Sequence, residues 1–210
     1  MKKIILISAL LITAISPSLF AKKGFGADLT VSLGAGIGFF HGDTSKYPNG
    51  SFEFGVYLKP NYYFEFSTLS FGLSFEVGYQ RDAFAYKNEQ LKGNTTFDSL
   101  ALGFIPKIDV SFLSIGFGGG VKLPLSGKSY SIDIYSVPSL SQYNYNELKE
   151  NFGSVLIIPY VKVSLDFMLL YNVGLGIYAA YDIPFMKYPS DNSNIKFSSF
   201  DIGGEIILRF

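Results

Sequence analysis

The sequence predicts an all-β protein, an eight-stranded antiparallel up-and-down transmembrane β-barrel. Three observations support this prediction. Apolar residues alternate with small or polar residues at period two in eight successive segments, as expected for strands with one apolar face. The connections between these segments are alternately short and long. The chain also begins with an export signal, and no later stretch reaches the roughly 18 apolar residues of a spanning helix.

The N-terminal residues predict a secretory signal peptide. Lys2 and Lys3 form a basic start, and the apolar run from Ile4 to Ile15 is too short to span a membrane as a helix. A cleavage region follows, with the cut expected after Ala21 and Ser18 as the alternative. The expected organisation is therefore a signal peptide at residues 1–21 and one outer-membrane β-barrel domain at residues 22–210.

Each of the eight predicted strands is long enough to cross a bilayer obliquely, which takes about 9–11 residues. An even number of strands is what a closed up-and-down barrel requires. The strands are Leu29 to Phe39, Phe52 to Phe66, Leu69 to Tyr79, Leu100 to Val110, Ile115 to Leu123, Val155 to Leu165, Tyr171 to Ile183, and Ser199 to Phe210.

Short and long connections alternate along the chain. The predicted tight turns are Ser67-Thr68, Phe112-Leu113 and the region from Met168 to Leu170. The predicted long loops run from His41 to Ser51, Asp82 to Asp98, Leu125 to Gly153, and Phe185 to Lys196. Outer-membrane barrels have short periplasmic turns and long extracellular loops, so both termini are expected on the periplasmic side.

Residue size indicates which face of the barrel points inward. An eight-stranded barrel is only just wide enough for side chains to fill its interior. The polar face of the predicted strands is mostly Gly and Ser with a few charges, whereas the apolar face is crowded with Phe, Tyr, Leu and Ile. The small polar face is therefore expected in the lumen, and the aromatic face against lipid.

The last strand ends on Phe210, with Leu208 and Ile206 on the same apolar parity. This ending resembles the closing strand of bacterial outer-membrane β-barrels, in which the terminal Phe is part of the assembly signal. The whole mature chain is similar in architecture to the small eight-stranded family typified by OmpW, OmpX and the membrane domain of OmpA. The resemblance implies an outer-membrane location, outer-membrane lipids and the barrel assembly machinery as partners, and a monomeric state.

Charged residues on the inward parity predict a network that plugs the lumen, because buried charges need partners. The expected members are Lys59, Glu76, Lys107, Asp109, Lys122, Lys162, Asp166, Asp201 and Glu205. The predicted turns also set the strand registers. The resulting pairs are Lys59 with Glu76, Lys107 with Gly118, Asp109 with Gly116, Lys162 with Gly176, and Tyr160 with Tyr178.

Few residues suggest catalysis or ligand binding. His41 is the only histidine, and it precedes Asp43 and Ser45 in a predicted loop, where residues adjacent in sequence do not make a triad. We therefore expect no catalytic residue, no metal-ligand cluster and no cofactor. The absence of cysteine excludes disulfides and thiolate metal sites. The balance of 17 basic and 17 acidic residues gives no indication of nucleic-acid binding.

The third long loop is rich in Tyr, Ser and Asn, a composition that makes adaptable contact surfaces. A strand-extending hairpin with a solvated exterior is the alternative for this loop, and residues 144–151 are candidates for a helical turn. The favoured function is a structural or surface-interaction barrel with a plugged lumen, which includes binding of a host or extracellular ligand through the outer loops. A narrow channel for small or hydrophobic solutes, as OmpW-like proteins suggest, is one alternative. A lipid A-modifying enzyme that depends on His41 is the other.

Overall fold

The computed structural model describes residues 24–41, 46–66, 69–88, 91–110, 112–133, 138–153, 156–170, 172–184 and 196–210. The predicted signal peptide lies outside these residues, as do most of the fourth predicted loop and the Ser67-Thr68 turn. The strands are β1 Gly24–His41, β2 Tyr47–Phe66, β3 Leu69–Lys87, β4 Leu91–Val110, β5 Leu113–Asp133, β6 Ser139–Tyr143, β7 Ile158–Met168, β8 Val173–Asp182 and β9 Lys196–Arg209. The helix α1 is Tyr145–Phe152.

Eight of these strands form a closed antiparallel ring. Neighbouring strands pair in the order β4-β3-β2-β1-β9-β8-β7-β5, and β4 also pairs with β5, which closes the circle. The short strand β6 pairs only with the upper end of β5 and lies outside the ring. The predicted eight-stranded up-and-down barrel is thus confirmed.

The seam between the first and last strands is continuous. β1 and β9 pair from Asp28 with Arg209 to His41 with Lys196. Beyond the end of β9, Phe210 N donates to Ala27 O at 2.8 Å, and Ala27 N donates to Phe210 O at 3.1 Å. Because the backbone groups of β1 and β9 satisfy one another, neither strand presents a free edge.

The two faces of the sheet differ as residue size predicts. Large apolar side chains stand on the outside, with Phe117 67% and Phe52 62% exposed, whereas Lys59 inside the barrel is 2% exposed. Arg81 and Asp98 form an outward ion pair at 2.7 Å above this apolar surface, and the hydroxyl of Tyr79 also donates to Asp98. In the part of the chain that the structure describes, no helix has the length and apolar character to cross a bilayer.

The predicted long loop from Asp82 to Asp98 is wrong, because the strands continue through it. β3 and β4 remain paired from Asp82 with Phe97 up to Lys87 with Lys92. The prediction rested on polarity, but the polar residues of this segment alternate with inward side chains that are buried, among them Phe84, Tyr86 and Phe97. The barrel therefore extends well beyond the apolar outer surface on the side of the long connections.

Two predicted turns are shifted, which changes two predicted strand registers and the four predicted pairs that depend on them. Val110 pairs with Leu113, so the β4–β5 connection is shifted one residue earlier than the predicted Phe112-Leu113 turn. The observed partners across β4–β5 and β7–β8 are Lys107 with Gly116, Asp109 with Ser114, Lys162 with Ala180, and Tyr160 with Asp182. The β7–β8 turn is longer than predicted because Leu169 N and Leu170 N both donate to Val173 O. The register around Lys59 and Glu76 follows the prediction, since Leu58 pairs with Val77 and Asn61 with Ser74.

The third long connection is a hairpin followed by a helix. β5 pairs with β6 from Gly127 with Tyr143 to Ser131 with Ser139, so this part is the strand-extending alternative. Asn144 caps α1: its side chain accepts from the backbone N–H groups of Asn146 and Glu147, and Glu147 Oε2 accepts from Asn144 N. This capping box fixes where the helix begins. The predicted helical turn is therefore present as a helix of 8 residues.

Candidate functional site

The alternation of each strand directs its charged side chains into the lumen, where they lie in three layers. The lower layer, near the tight turns, comprises Asp28, Lys107, Asp109, Asp166 and Arg209. The middle layer comprises Lys59, Glu76, Lys162 and Glu205. The upper layer comprises Glu53, Asp82, Lys122, Asp182 and Asp201. Every member is buried except Arg209, whose side chain is 14% exposed.

In the lower layer, ion pairs link the first and last strands of the barrel, β1 and β9. Arg209 Nε donates to Asp28 Oδ1 at 2.9 Å across the β1–β9 seam, and its Nη1 lies 3.7 Å from Asp109 Oδ2. Lys107 Nζ donates to Asp166 Oδ2 at 2.7 Å. The guanidinium at the C-terminal end of β9 is therefore tied to the first barrel strand by charge as well as by backbone pairing.

The middle layer is a balanced square of two ammonium groups and two carboxylates. Lys59 Nζ lies 2.9 Å from Glu76 Oε1 and 3.1 Å from Glu205 Oε2. Lys162 Nζ lies 3.0 Å from Glu76 Oε1 and 2.7 Å from Glu205 Oε1. The hydroxyl of Tyr160 donates to Glu76 Oε2 at 3.1 Å. Opposite charges alternate around this square, so each buried charge has two partners of opposite sign.

The upper layer is not balanced, because it contains four carboxylates and one ammonium group. Lys122 Nζ lies 2.6 Å from Asp82 Oδ1, 2.7 Å from Asp182 Oδ1 and 3.5 Å from Asp201 Oδ2. The hydroxyl oxygen of Ser199 lies 3.1 Å from Asp182 Oδ2 and 2.6 Å from Asp201 Oδ1, within hydrogen-bond distance of both carboxyl groups. This layer therefore carries an excess of negative charge if all four carboxyl groups are ionised.

Above the upper layer, the interior changes from charged to apolar. We call this region the aromatic cap, and its members are Phe40, Phe84, Tyr86, Phe97, Leu148, Phe152, Leu156, Ile158 and Phe197. The ring of Phe97 packs against those of Phe152 and Phe197, with centroids 5.1 and 5.8 Å apart. Because Leu148 and Phe152 belong to α1, the helix covers the upper opening of the barrel.

The sequence-predicted lumen residues all lie in these layers. Lys59, Glu76, Lys162 and Glu205 meet in the middle layer, Lys122 and Asp201 in the upper layer, and Lys107, Asp109 and Asp166 in the lower layer. Sequence reasoning missed five further lumen charges: Asp28, Glu53, Asp82, Asp182 and Arg209. All five share the inward parity of their strands. That parity alone indicates Glu53, Asp182 and Arg209, which lie inside predicted strands, and it indicates Asp28 and Asp82 once the strands are extended to their observed lengths.

His41 is the last residue of β1 rather than a loop residue, and it has a defined partner. His41 Nε2 lies 2.8 Å from Ser198 Oγ. A histidine beside a serine hydroxyl is the geometry of an activated nucleophile. Ser198 has no exposed surface, however, so its hydroxyl is not open to a substrate in this conformation.

The outer wall carries a shallow apolar groove of about 480 Å³. It is formed where β7, β8 and β9 meet, and its lining includes Val163, Leu165, Ile177, Ala179 and Ile202. These side chains belong to the outward apolar face of the barrel. In a membrane, the groove would therefore face the lipid chains.

No protein-family model and no curated protein sequence matches this chain. Several solved structures resemble it in fold. The attachment invasion locus protein Ail of Yersinia pestis is 14% identical, with a TM-score of 0.44 over 90% of this chain and 99% of that chain. Neisserial surface protein A is 14% identical, with a TM-score of 0.43 over 90% and 98%. The outer membrane protease OmpT of Escherichia coli is 9% identical, with a TM-score of 0.42 over 93% and 100%.

Proposed function

We propose that this chain is an integral outer-membrane β-barrel whose lumen does not conduct and whose outer end serves a structural or surface-interaction role. The observation that carries the proposal is the closed ring, apolar outside and filled with paired charges inside. The ring leaves no strand edge unpaired, which the hydrocarbon of a bilayer requires. A soluble barrel with charges inside and Phe, Leu and Ile outside would expose a contiguous apolar surface to water.

The filled lumen supports a plug rather than a pore. The middle layer sets two ammonium groups and two carboxylates across the interior, and each has a side-chain exposure of 5% or less. The aromatic cap then closes the outer opening with buried side chains that are apolar except for the hydroxyl of Tyr86. An ion would have to break the buried pairs and displace the cap in order to pass.

The outer end offers the surface for contact with other molecules. Tyr130 on β5 is 40% exposed, Leu140 on β6 is 61% exposed, and Tyr145 at the start of α1 is 45% exposed. Aromatic and apolar side chains held on a hairpin and a capped helix form a comparatively rigid contact surface. This geometry favours binding of an extracellular ligand over free solvation of the loop.

Planar-bilayer recording tests the closed lumen. The purified protein should produce no conductance steps beyond those of a protein-free bilayer, whereas a porin in the same bilayer serves as the positive control. Reproducible single-channel steps from this protein would refute the plug and promote the narrow channel for small or hydrophobic solutes.

Protease treatment of intact cells tests the location and orientation. Cleavage is expected within residues 125–153, with the short turns spared. Cleavage that appears only after the outer membrane is permeabilised would contradict the proposed orientation.

A lipid-modifying activity is the second candidate, and the contact between His41 and Ser198 is the observation that favours it. Replacing His41 with Ala should leave the lipid A of the host cell unchanged if the chain is a surface barrel. Loss of an acyl modification in this variant would establish the enzyme instead.

A further inference from the structure

Glu53 is the unusual carboxylate of the upper layer. Its side chain is fully buried, and Lys122 forms ion pairs with Asp82, Asp182 and Asp201 but not with Glu53. Glu53 Oε1 accepts one hydrogen bond, at 2.8 Å from Ala83 N. Glu53 Oε2 is buried and has no hydrogen-bond partner among the described residues. A buried anion held by a single backbone N–H is poorly compensated.

The carboxylates of Glu53, Asp82 and Asp201 converge on one point. One oxygen from each lies within 4.8 Å of the other two. Oxygen ligands at 2.3–2.6 Å from a calcium ion are separated by no more than about 5 Å, so this spacing suits three ligands of a single cation. The three residues come from β2, β3 and β9, and the paired backbone of the ring therefore holds them in place.

A glycine provides the space in which two of these carboxylates meet. Gly36 on β1 pairs with Asp201 on one side and with Ser51 on the other. A Cβ atom added to Gly36 would lie 2.7 Å from Glu53 Cδ and 3.1 Å from Asp201 Oδ1, and it would collide with Glu53 Oε1. Because Gly36 has no side chain, it leaves a space, here called the cradle, in which the carboxyl groups of Glu53 and Asp201 meet.

A second buried group without a partner lies one inward position below this cradle. A Cβ added to Gly34 would lie 2.6 Å from the hydroxyl oxygen of Tyr178, and this hydroxyl has no hydrogen-bond partner among the described residues. Gly34 pairs with Glu53 across β1 and β2. The partnerless hydroxyl of Tyr178 therefore lies beside the β1 glycine that pairs with Glu53, and the carboxylate of Glu53 lies beside the next inward glycine, Gly36.

We propose that Glu53, Asp82 and Asp201 bind one hard divalent cation, with Ca²⁺ preferred, in the upper lumen. The inference deepens the proposed plugged barrel, because the cation would neutralise the excess charge directly beneath the aromatic cap. Oxygen ligands from carboxylates with water completing the shell are the donors that Ca²⁺ takes in irregular geometry. Mg²⁺ demands near-ideal octahedral geometry, which three carboxylates on separate fixed strands do not readily supply.

The test compares metal content and thermal unfolding of the mature barrel folded in detergent with Ca²⁺ or with a chelator. After desalting, the protein folded with Ca²⁺ should retain about one ion per chain. Its midpoint of thermal unfolding should rise by about 5–10 °C at a Ca²⁺ concentration of about 100 times Kd. In E53Q both the bound ion and this shift should disappear, because the amide keeps the shape of the side chain but removes its charge.

Two further variants separate loss of the site from loss of the fold. E65Q removes an exposed carboxylate near the periplasmic end and should keep the bound ion and the full shift. D201N supplies a second test of the same site, should E53Q not fold. Wild-type protein that contains no stoichiometric metal, with the same unfolding midpoint in Ca²⁺ and in chelator, would overturn the site and leave protons to neutralise the layer. Conductance measured on the same wild-type sample tests the plug separately, so failure of the cation site is distinguishable from failure of the proposed function.

Discussion

At the scale of single residues, the middle layer shows how a barrel lumen accommodates charge. Lys59 and Lys162 each contact both Glu76 and Glu205, so no carboxylate depends on a single partner. Taking charges out of water costs several kcal/mol per ion, and close pairing offsets that cost. The square therefore holds four strands in one arrangement, because any shift of one strand would separate charges of opposite sign.

Replacing Lys59 with Met should lower the free energy of unfolding by about 3–5 kcal/mol, because two buried carboxylates are then left with one ammonium group. Urea unfolding of the barrel in lipid vesicles measures the change. The control is Lys92→Met on the exposed part of β4, which should change stability by no more than about 0.5 kcal/mol. The double variant with Glu76→Gln should recover part of the loss, and a double variant less stable than Lys59→Met would contradict the paired square.

Gly118 illustrates the close approach of backbones inside the barrel. A Cβ at this position would lie 2.8 Å from Ile105 Cα and would collide with Phe104 O on the neighbouring strand. Gly118→Ala should therefore reduce the yield of folded barrel, measured by the heat-dependent shift of its band in gel electrophoresis. Gly50→Ala is the matched control, because nothing lies within 4 Å of the added atom. Equal yields for the two variants would contradict this account.

Strand parity is the part of the site that the sequence predicts well. It identified Lys59, Glu76 and the other predicted lumen charges, because an inward position in a narrow barrel is buried regardless of the contacts it makes. It missed Asp82 because the predicted third strand ended at Tyr79. Glu53 and Asp182 lie inside predicted strands on the inward parity, and they were left out of the predicted network although the parity indicated them. The pairing across the barrel could not be predicted, since it depends on strand stagger and not on sequence spacing.

At the scale of elements, α1 is the part of the outer end that packs into the barrel. Its Leu148 and Phe152 are buried in the aromatic cap, whereas Tyr145 on the same helix is 45% exposed. The sequence favours this helix through the capping box of Asn144 and Glu147. Which barrel residues receive the helix could not be read from the sequence, because Phe97 and Phe197 come from β4 and β9, which are distant along the chain.

Phe152→Ala should loosen the helix from the cap, because a buried aromatic ring replaced by Ala leaves a cavity at a cost of about 3–5 kcal/mol. Limited proteolysis of the folded barrel should then cut residues 138–153 faster, with the rest of the barrel still resistant. Tyr145→Ala should leave the rate near that of the wild type. Equal rates in the two variants would show that the buried contact does not hold the helix.

At the scale of the whole molecule, folding depends on joining the two ends of the described chain. β1 and β9 pair along their length. At the lower end of this seam, Asp28 and Arg209 form an ion pair. Until this seam forms, both strands present unpaired backbone groups, which are costly in the hydrocarbon of a bilayer and prone to pair with other chains in water. Closure is therefore the step that converts a sheet prone to aggregation into a membrane-compatible barrel.

Phe210 lies at the end of this seam and provides its final backbone pair. Both hydrogen bonds between Phe210 and Ala27 extend the ladder past Arg209, and deleting Phe210 removes them together with the proposed assembly signal. We expect the deletion to reduce the amount of barrel in the outer membrane by at least about tenfold, measured by membrane fractionation and immunoblotting. Leu175→Ser is the matched control, because Leu175 is an outward residue within β8 that is 48% exposed and takes no part in the seam. It should reduce the yield much less, since it removes one apolar contact with lipid and leaves every backbone pair intact. If the deleted protein accumulates like the wild type, closure at the C terminus does not control assembly, and the terminal strand is not an assembly signal.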